Sequence, residues 1–68
     1  MKNNLDYPKM IIKLRIKMNI SQEELAHNLG VSFQSVNRWE NGKYEPTKLA
    51  KAKLDELFAK YHIDNIEE

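Results

Sequence analysis

Gly30 stands directly between two short segments that each open with a capping residue, and this spacing limits the chain more than any other feature. Upstream, Ser21-Gln22-Glu23-Glu24 has the form of a capping box, in which Ser21 caps the N3 amide and Glu24 reaches back. Leu25, Ala26 and Leu29 form the apolar side of the short helix that follows. Gly30 comes next, where a left-handed residue ends a helix at little steric cost. Val31 can pack inward across the turn, and Ser32 caps another helix whose Val36 and Trp39 lie at core spacing. Asn41-Gly42 stops it.

The flanking segments read the same way. Asp6 is a good N-cap, Pro8 is tolerated in a first turn, and Tyr7, Ile11, Leu14 and Met18 make one apolar stripe before Asn19-Ile20 breaks it. After Glu45-Pro46, Thr47 caps a final helix with Ala50, Leu54, Leu57, Phe58 and Tyr61 on one face. No alternating strand pattern occurs. The expected fold is all-α, a compact domain of four helices with room for a fifth. At 68 residues the chain forms a single domain, its core spanning about residues 6–62, with 1–5 and 63–68 expected to fray.

So small a chain buries only about 60% of its unfolded surface. With no cysteine, neither a disulfide nor a thiolate metal site can add stability, and a reducing compartment fits. The formal net charge of +1 alone does not suggest nucleic acid, but the distribution is uneven. Lys2, Lys9, Lys13, Arg15 and Lys17 face Asp6 alone in the first twenty residues, and Lys43, Lys48, Lys51 and Lys53 face Glu45. From Leu54 onward the balance is acidic, so a polarised molecule results if the basic segments meet. No apolar run approaches the roughly 18–20 residues that span a membrane, and the start lacks a secretory signal, so a cytoplasmic protein is expected.

Two capped helices joined by Gly30-Val31-Ser32 are the sequence form of a helix-turn-helix, whose second helix enters a major groove about 12 Å wide. The run Ile20-Ser21-Gln22-Glu23-Glu24-Leu25-Ala26, then Leu29-Gly30-Val31-Ser32, then Val36-Asn37-Arg38-Trp39-Glu40-Asn41-Gly42-Lys43 resembles the phage repressor and Cro family of helix-turn-helix regulators, the xenobiotic-response-element family. Arg15 and Pro46 also match, and the resemblance covers about residues 10 to 60.

The resemblance implies a site, residue by residue. Phe33, Gln34, Asn37 and Arg38 fall where the family reads base edges, on a helix expected over 33–41. Gln22 falls where a glutamine bonds a phosphate and braces a base-reading side chain. Ser35 is placed for a base or phosphate, and Asn41 and Lys43 for the phosphate backbone, with Ser21 and Ser32 positioning the helix starts. Arg15 and Glu40 match a partly buried ion pair. Chemistry agrees: the Gln34 amide can pair with adenine and Arg38 can fork onto guanine, each worth about 1–3 kcal/mol of discrimination. Phe33 departs from the family's commoner polar residue; it either meets a thymine methyl or folds back onto the second helix as core.

Ile12 and Ile16 lie opposite the core stripe of the first helix, where they would meet Ile63 and Ile66 or form a dimer contact. His27 and His62 sit on different helices without a nucleophile–base pattern, Gly42-Lys43 lacks the rest of a phosphate loop, and no metal-ligand spacing occurs. Neither catalysis nor a cofactor is expected. The leading expectation is a sequence-specific regulator of double-stranded DNA, a repressor by the most economical mechanism. A homodimer or a further protein partner stays open. The alternative is a protein-interaction module such as an antitoxin or adaptor on the same fold. Polar Gln34, Asn37 and Arg38 favour DNA, whereas apolar Phe33, Ile12 and Ile16 favour a protein surface.

Overall fold

In a computed structural model, residues 6–63 are described, and they form four α-helices. These are α1 (Tyr7–Met18), α2 (Gln22–Leu29), α3 (Phe33–Glu40) and α4 (Lys48–Lys60). The four caps expected from sequence all act as N-caps. Asp6 accepts from the amide of Lys9, Ser21 from Glu24, Ser32 from Ser35 and Thr47 from Ala50. At α2 the capping box is complete, because Glu24 Oε1 accepts from the Ser21 amide at 2.9 Å.

All four helices also end alike. At each C-terminus a left-handed residue is followed by one whose amide reaches back five residues, so that otherwise orphaned carbonyls are satisfied. The left-handed residues are Asn19, Gly30, Gly42 and His62. The returning amides are Ile20 to Arg15, Val31 to Ala26, Lys43 to Arg38 and Ile63 to Phe58. Three of these returning residues are apolar and pack on the core: Ile20 and Val31 in part, Ile63 buried. The expectation that the fraying tail starts at Ile63 is therefore corrected. Having no place in the helical period, Ile63 is brought inward by the turn at His62. Ile66, the rest of that tail and residues 1–5 lie outside the described residues.

One core joins the four helices. Ile11, Leu14, Leu25, Val36 and Leu54 are fully buried, with Ala26, Leu29, Trp39, Ala50 and Phe58 close to it. Burying each large apolar side chain contributes about 1.5–3 kcal/mol. Met10 is buried too, although the stripe on α1 did not include it; Tyr7 and Met18, which it did include, are only partly covered. Ile12 is half-buried, whereas Ile16 is 72% exposed. Buried Met10 and half-buried Ile12 show that α1 is covered over a wider arc than its strict stripe. Among the described residues no helix is long and apolar enough to cross a membrane.

Polar contacts add to the packing of Ala50, Leu54 and Phe58 in placing α4. Lys53 Nζ donates to the Leu29 carbonyl at 3.2 Å, closing the end of α2. Lys51 bonds Glu45 at 3.2 Å and lies 5.3 Å from the ring centre of Tyr7. Two lysines of the second basic segment thus serve the fold internally. The Tyr7 hydroxyl donates to Asp55 Oδ1 at 3.3 Å, linking α1 to α4.

A Cβ at Gly30 would meet nothing closer than Lys53 Nζ at 3.8 Å, so Gly30→Ala carries the strain of its φ of +74° and little steric clash. It is expected to cost about 1–2 kcal/mol, read as a lowered urea midpoint at unchanged m-value. A cost near zero would mean that the turn relaxes freely. Partial burial, and then the charge of Asp55, raise the Tyr7 hydroxyl above its ordinary value. The folded state therefore favours neutral Tyr7. That contribution is whole below about pH 10 and is lost as pH rises through the raised folded value. As pH rises above about 10 the wild type should lose more stability than Tyr7→Phe; equal losses would remove Tyr7 as the cause.

Candidate nucleic-acid interface

The presentation of α3 begins with its two faces. Val36 and Trp39 fix one side in the core, and Ser32 ends the turn so that the helix starts clear of α2. On the other side Phe33, Gln34 and Arg38 are exposed, with Asn41 capping the C-terminus one residue beyond the helix. Phe33 is 46% exposed, so it does not fold back as core. An apolar ring at the first turn of a projecting helix leaves burial energy unrealised until something covers it.

A continuous polar chain runs from the interior to that face. Arg15 Nε donates to Glu40 Oε2 at 2.6 Å, and Arg15 Nη2 donates to Glu40 Oε1 at 2.9 Å. Gln22 Nε2 donates to the same Oε1 at 2.9 Å, while Arg15 Nη1 donates to the Ile20 carbonyl at 3.3 Å. The Glu40 side chain is only 6% exposed and that of Arg15 23%. A carboxylate so covered is tolerable because both of its oxygens are filled by fixed donors. The hydrogen bond to Glu40 raises the Arg15 guanidinium above its already high ordinary value, against the opposing effect of partial burial. Among the described residues no buried side-chain polar atom lacks a partner.

The chain continues outward. Gln22 Oε1 accepts from Asn37 Nδ2 at 3.2 Å, and Asn37 Oδ1 accepts from Asn41 Nδ2 at 3.1 Å. Gln22, the first residue of α2, thus ties Glu40 at the end of α3 to Asn37 one turn earlier. Half-buried Asn37 is hydrogen-bonded on both sides, unlike exposed Gln34. The serines are engaged as well: Ser21 and Ser32 cap α2 and α3, and Ser35 Oγ lies 3.0 Å from Ser32 Oγ. Lys43 is exposed at the turn after α3.

Sequence reasoning missed Tyr44. It is 61% exposed, and the Arg38 guanidinium carbon lies 5.4 Å from its ring centre. The available signal was an aromatic just beyond Gly42-Lys43, but only the turn geometry brings it to a residue six positions earlier. Among the described residues no group of three or more metal-ligating side chains comes together.

Positions 11–60 match the model of a helix-turn-helix family. The chain is 39% identical over 66 residues to an uncharacterised HTH-type transcriptional regulator of Methanocaldococcus jannaschii, covering 85% of this chain and 91% of the relative. A second such regulator, from Methanothermobacter thermautotrophicus, is 30% identical over 57 residues, covering 84% of this chain and 83% of its own length. No solved structure matches the chain. The chain belongs to this helix-turn-helix family, whose class is that of DNA-binding transcriptional regulators.

The ion pair generates a prediction. Glu40→Ala strands a partly covered guanidinium and also releases Gln22. Fully buried pairs lose about 3–5 kcal/mol when one partner is removed and exposed ones about 0–1, so this pair is expected to lose about 2–3. In a domain this size that lowers the thermal midpoint by roughly 10–20 °C. A shift of only a degree or two would show that Glu40 does not fasten the helices.

Proposed function

We propose that this protein is a sequence-specific regulator that lays α3 in the major groove of double-stranded DNA and represses transcription by occupying a promoter. The observation that carries this reading is the pairing of an exposed face with a fixed one. Phe33, Gln34 and Arg38 project from a helix whose opposite side is held by Val36, Trp39 and Glu40. Bases are read best by side chains whose backbone does not move.

Each side chain has a role on this reading. Arg38 donates two hydrogen bonds to guanine, Gln34 pairs with adenine through its amide, and Phe33 covers a thymine methyl. Asn37, braced by Gln22, presents its remaining hydrogen-bonding capacity to a base edge. Gln22, Asn41 and Lys43, with amides at the helix starts that Ser21, Ser32 and Ser35 organise, grip phosphates and set the register. Two copies bound as a twofold dimer would read half-sites about one helical turn apart. Repression needs no catalysis, since a bound protein excludes the polymerase sterically. The setting is the cytoplasm, at chromosomal DNA.

Selection of bound duplexes from a random pool tests this. The wild type should enrich one motif, Arg38→Ala should relax a guanine position, and Gln34→Ala should relax an adenine position. If each subunit neutralises about 5 phosphates, raising salt from about 50 to 200 mM should weaken binding roughly a hundred- to a thousand-fold. Failure to enrich any motif at low salt would return the chain to the protein-interaction reading.

A further inference from the structure

We propose that Tyr44 is a specificity-determining positioning residue, whose ring holds the Arg38 guanidinium ready for two-pronged contact with a guanine edge. The inference rests on the DNA-reading function proposed above and deepens it. The guanidinium carbon lies over the ring at 5.4 Å from its centre, within the range of cation–π attraction. Tyr44 is 61% exposed, so core packing does not explain where its ring sits.

The turn between α3 and α4 supplies the geometry. Gly42 adopts a φ of +77°, and the Lys43 amide returns to the Arg38 carbonyl at 3.0 Å. Two residues beyond Tyr44, Pro46 is buried and pins the far end of the loop. The ring is thereby set beside a residue six positions earlier, at the level of the last turn of α3. At the other three helix ends the residue after the left-handed one is apolar and packs on the core; here it is Lys43, which is exposed. The chain runs outward at this one turn, and Tyr44 follows it.

A free arginine samples many rotamers, and most of them miss the base. A guanidinium held over a ring face has already given up part of that freedom, while the donors at its edge stay open. Guanine presents O6 and N7 side by side, and only a guanidinium presented edge-on satisfies both. Tyr44 touches no base on this account. It acts through Arg38.

The test compares Tyr44→Leu, Tyr44→Phe and Arg38→Ala in the selection described above and in titrations of the enriched duplex against one changed at the guanine. Tyr44→Leu should weaken the preferred duplex about two- to five-fold, the worth of an exposed cation–π contact, and the changed duplex hardly at all. Tyr44→Phe should behave as wild type, because the ring is kept. The salt dependence should be the same in all three tyrosine-position proteins, since no phosphate contact changes. Tyr44→Ser serves as the second truncation if the leucine variant melts early. Without DNA, the Arg38 side-chain protons should show an upfield ring-current shift in the NMR spectrum of the wild type that vanishes in Tyr44→Leu. Absence of that shift in the wild type overturns the inference. So does a loss in Tyr44→Phe equal to that in Tyr44→Leu, or a loss uniform across duplexes, either of which marks a phosphate contact by the hydroxyl. A wild-type guanine that Arg38→Ala relaxes and Tyr44→Leu leaves intact sinks the stacking inference alone. No enriched motif in the wild type sinks the DNA-reading proposal, and this inference with it.

Discussion

A single carboxylate, that of Glu40, is where three helices are fastened together. Arg15 approaches it from α1 and Gln22 from α2, and Glu40 itself is the last residue of α3. A carboxylate covered to this extent is unfavourable unless its lone pairs are filled by well-aligned donors, and here they are. That requirement makes the junction directional where the apolar core is not. Val36 and Trp39 hold α3 against the body through contacts that carry no direction of their own. The hydrogen bonds at Glu40 allow one register.

The junction also reaches the surface. From Glu40 the polar chain passes through Gln22 to Asn37 and on to Asn41, so the outer face of α3 is tied to the interior by side chains as well as by backbone. Such a network couples stability to presentation. Loosening Glu40 frees Gln22, which in turn frees Asn37. The exposed side chains nearest to it, Gln34 and Arg38, then ride on a helix whose orientation is less sharply held.

Helix ends complete the picture. The same backbone motif closes all four helices, and its sequence markers are unequal in clarity. Gly30 and Gly42 announce a left-handed residue openly, because glycine has no Cβ to clash. Asn19 shows as no more than a break in the apolar pattern, and His62 shows nothing, since neither residue requires that conformation. Packing of Ile20, in part, and of Ile63 onto the core after them supplies the stabilisation that selects it. This is why Ile63 belongs to the core although it lies past the last periodic residue.

Much of the architecture was legible in the sequence: four caps, four helices, the turn at Gly30, most of the core and the candidate pair Arg15 and Glu40. These depend on local hydrogen bonding and on a 3.6-residue period, both of which are written along the chain. That Asn37 is the side chain Gln22 braces, that Phe33 stays outward and does not fold onto α2, the internal use of Lys51 and Lys53, and the approach of Tyr44 to Arg38 were not settled by the sequence. Each depends on where two separated segments lie in space, and neither segment carries that distance. Sequence alone determined the capped, periodic helices and the residue types on the outer face of α3. Tertiary structure decided which of those side chains are committed to one another and which stand free, because a hydrogen bond or a ring stack exists only once packing has set the separation.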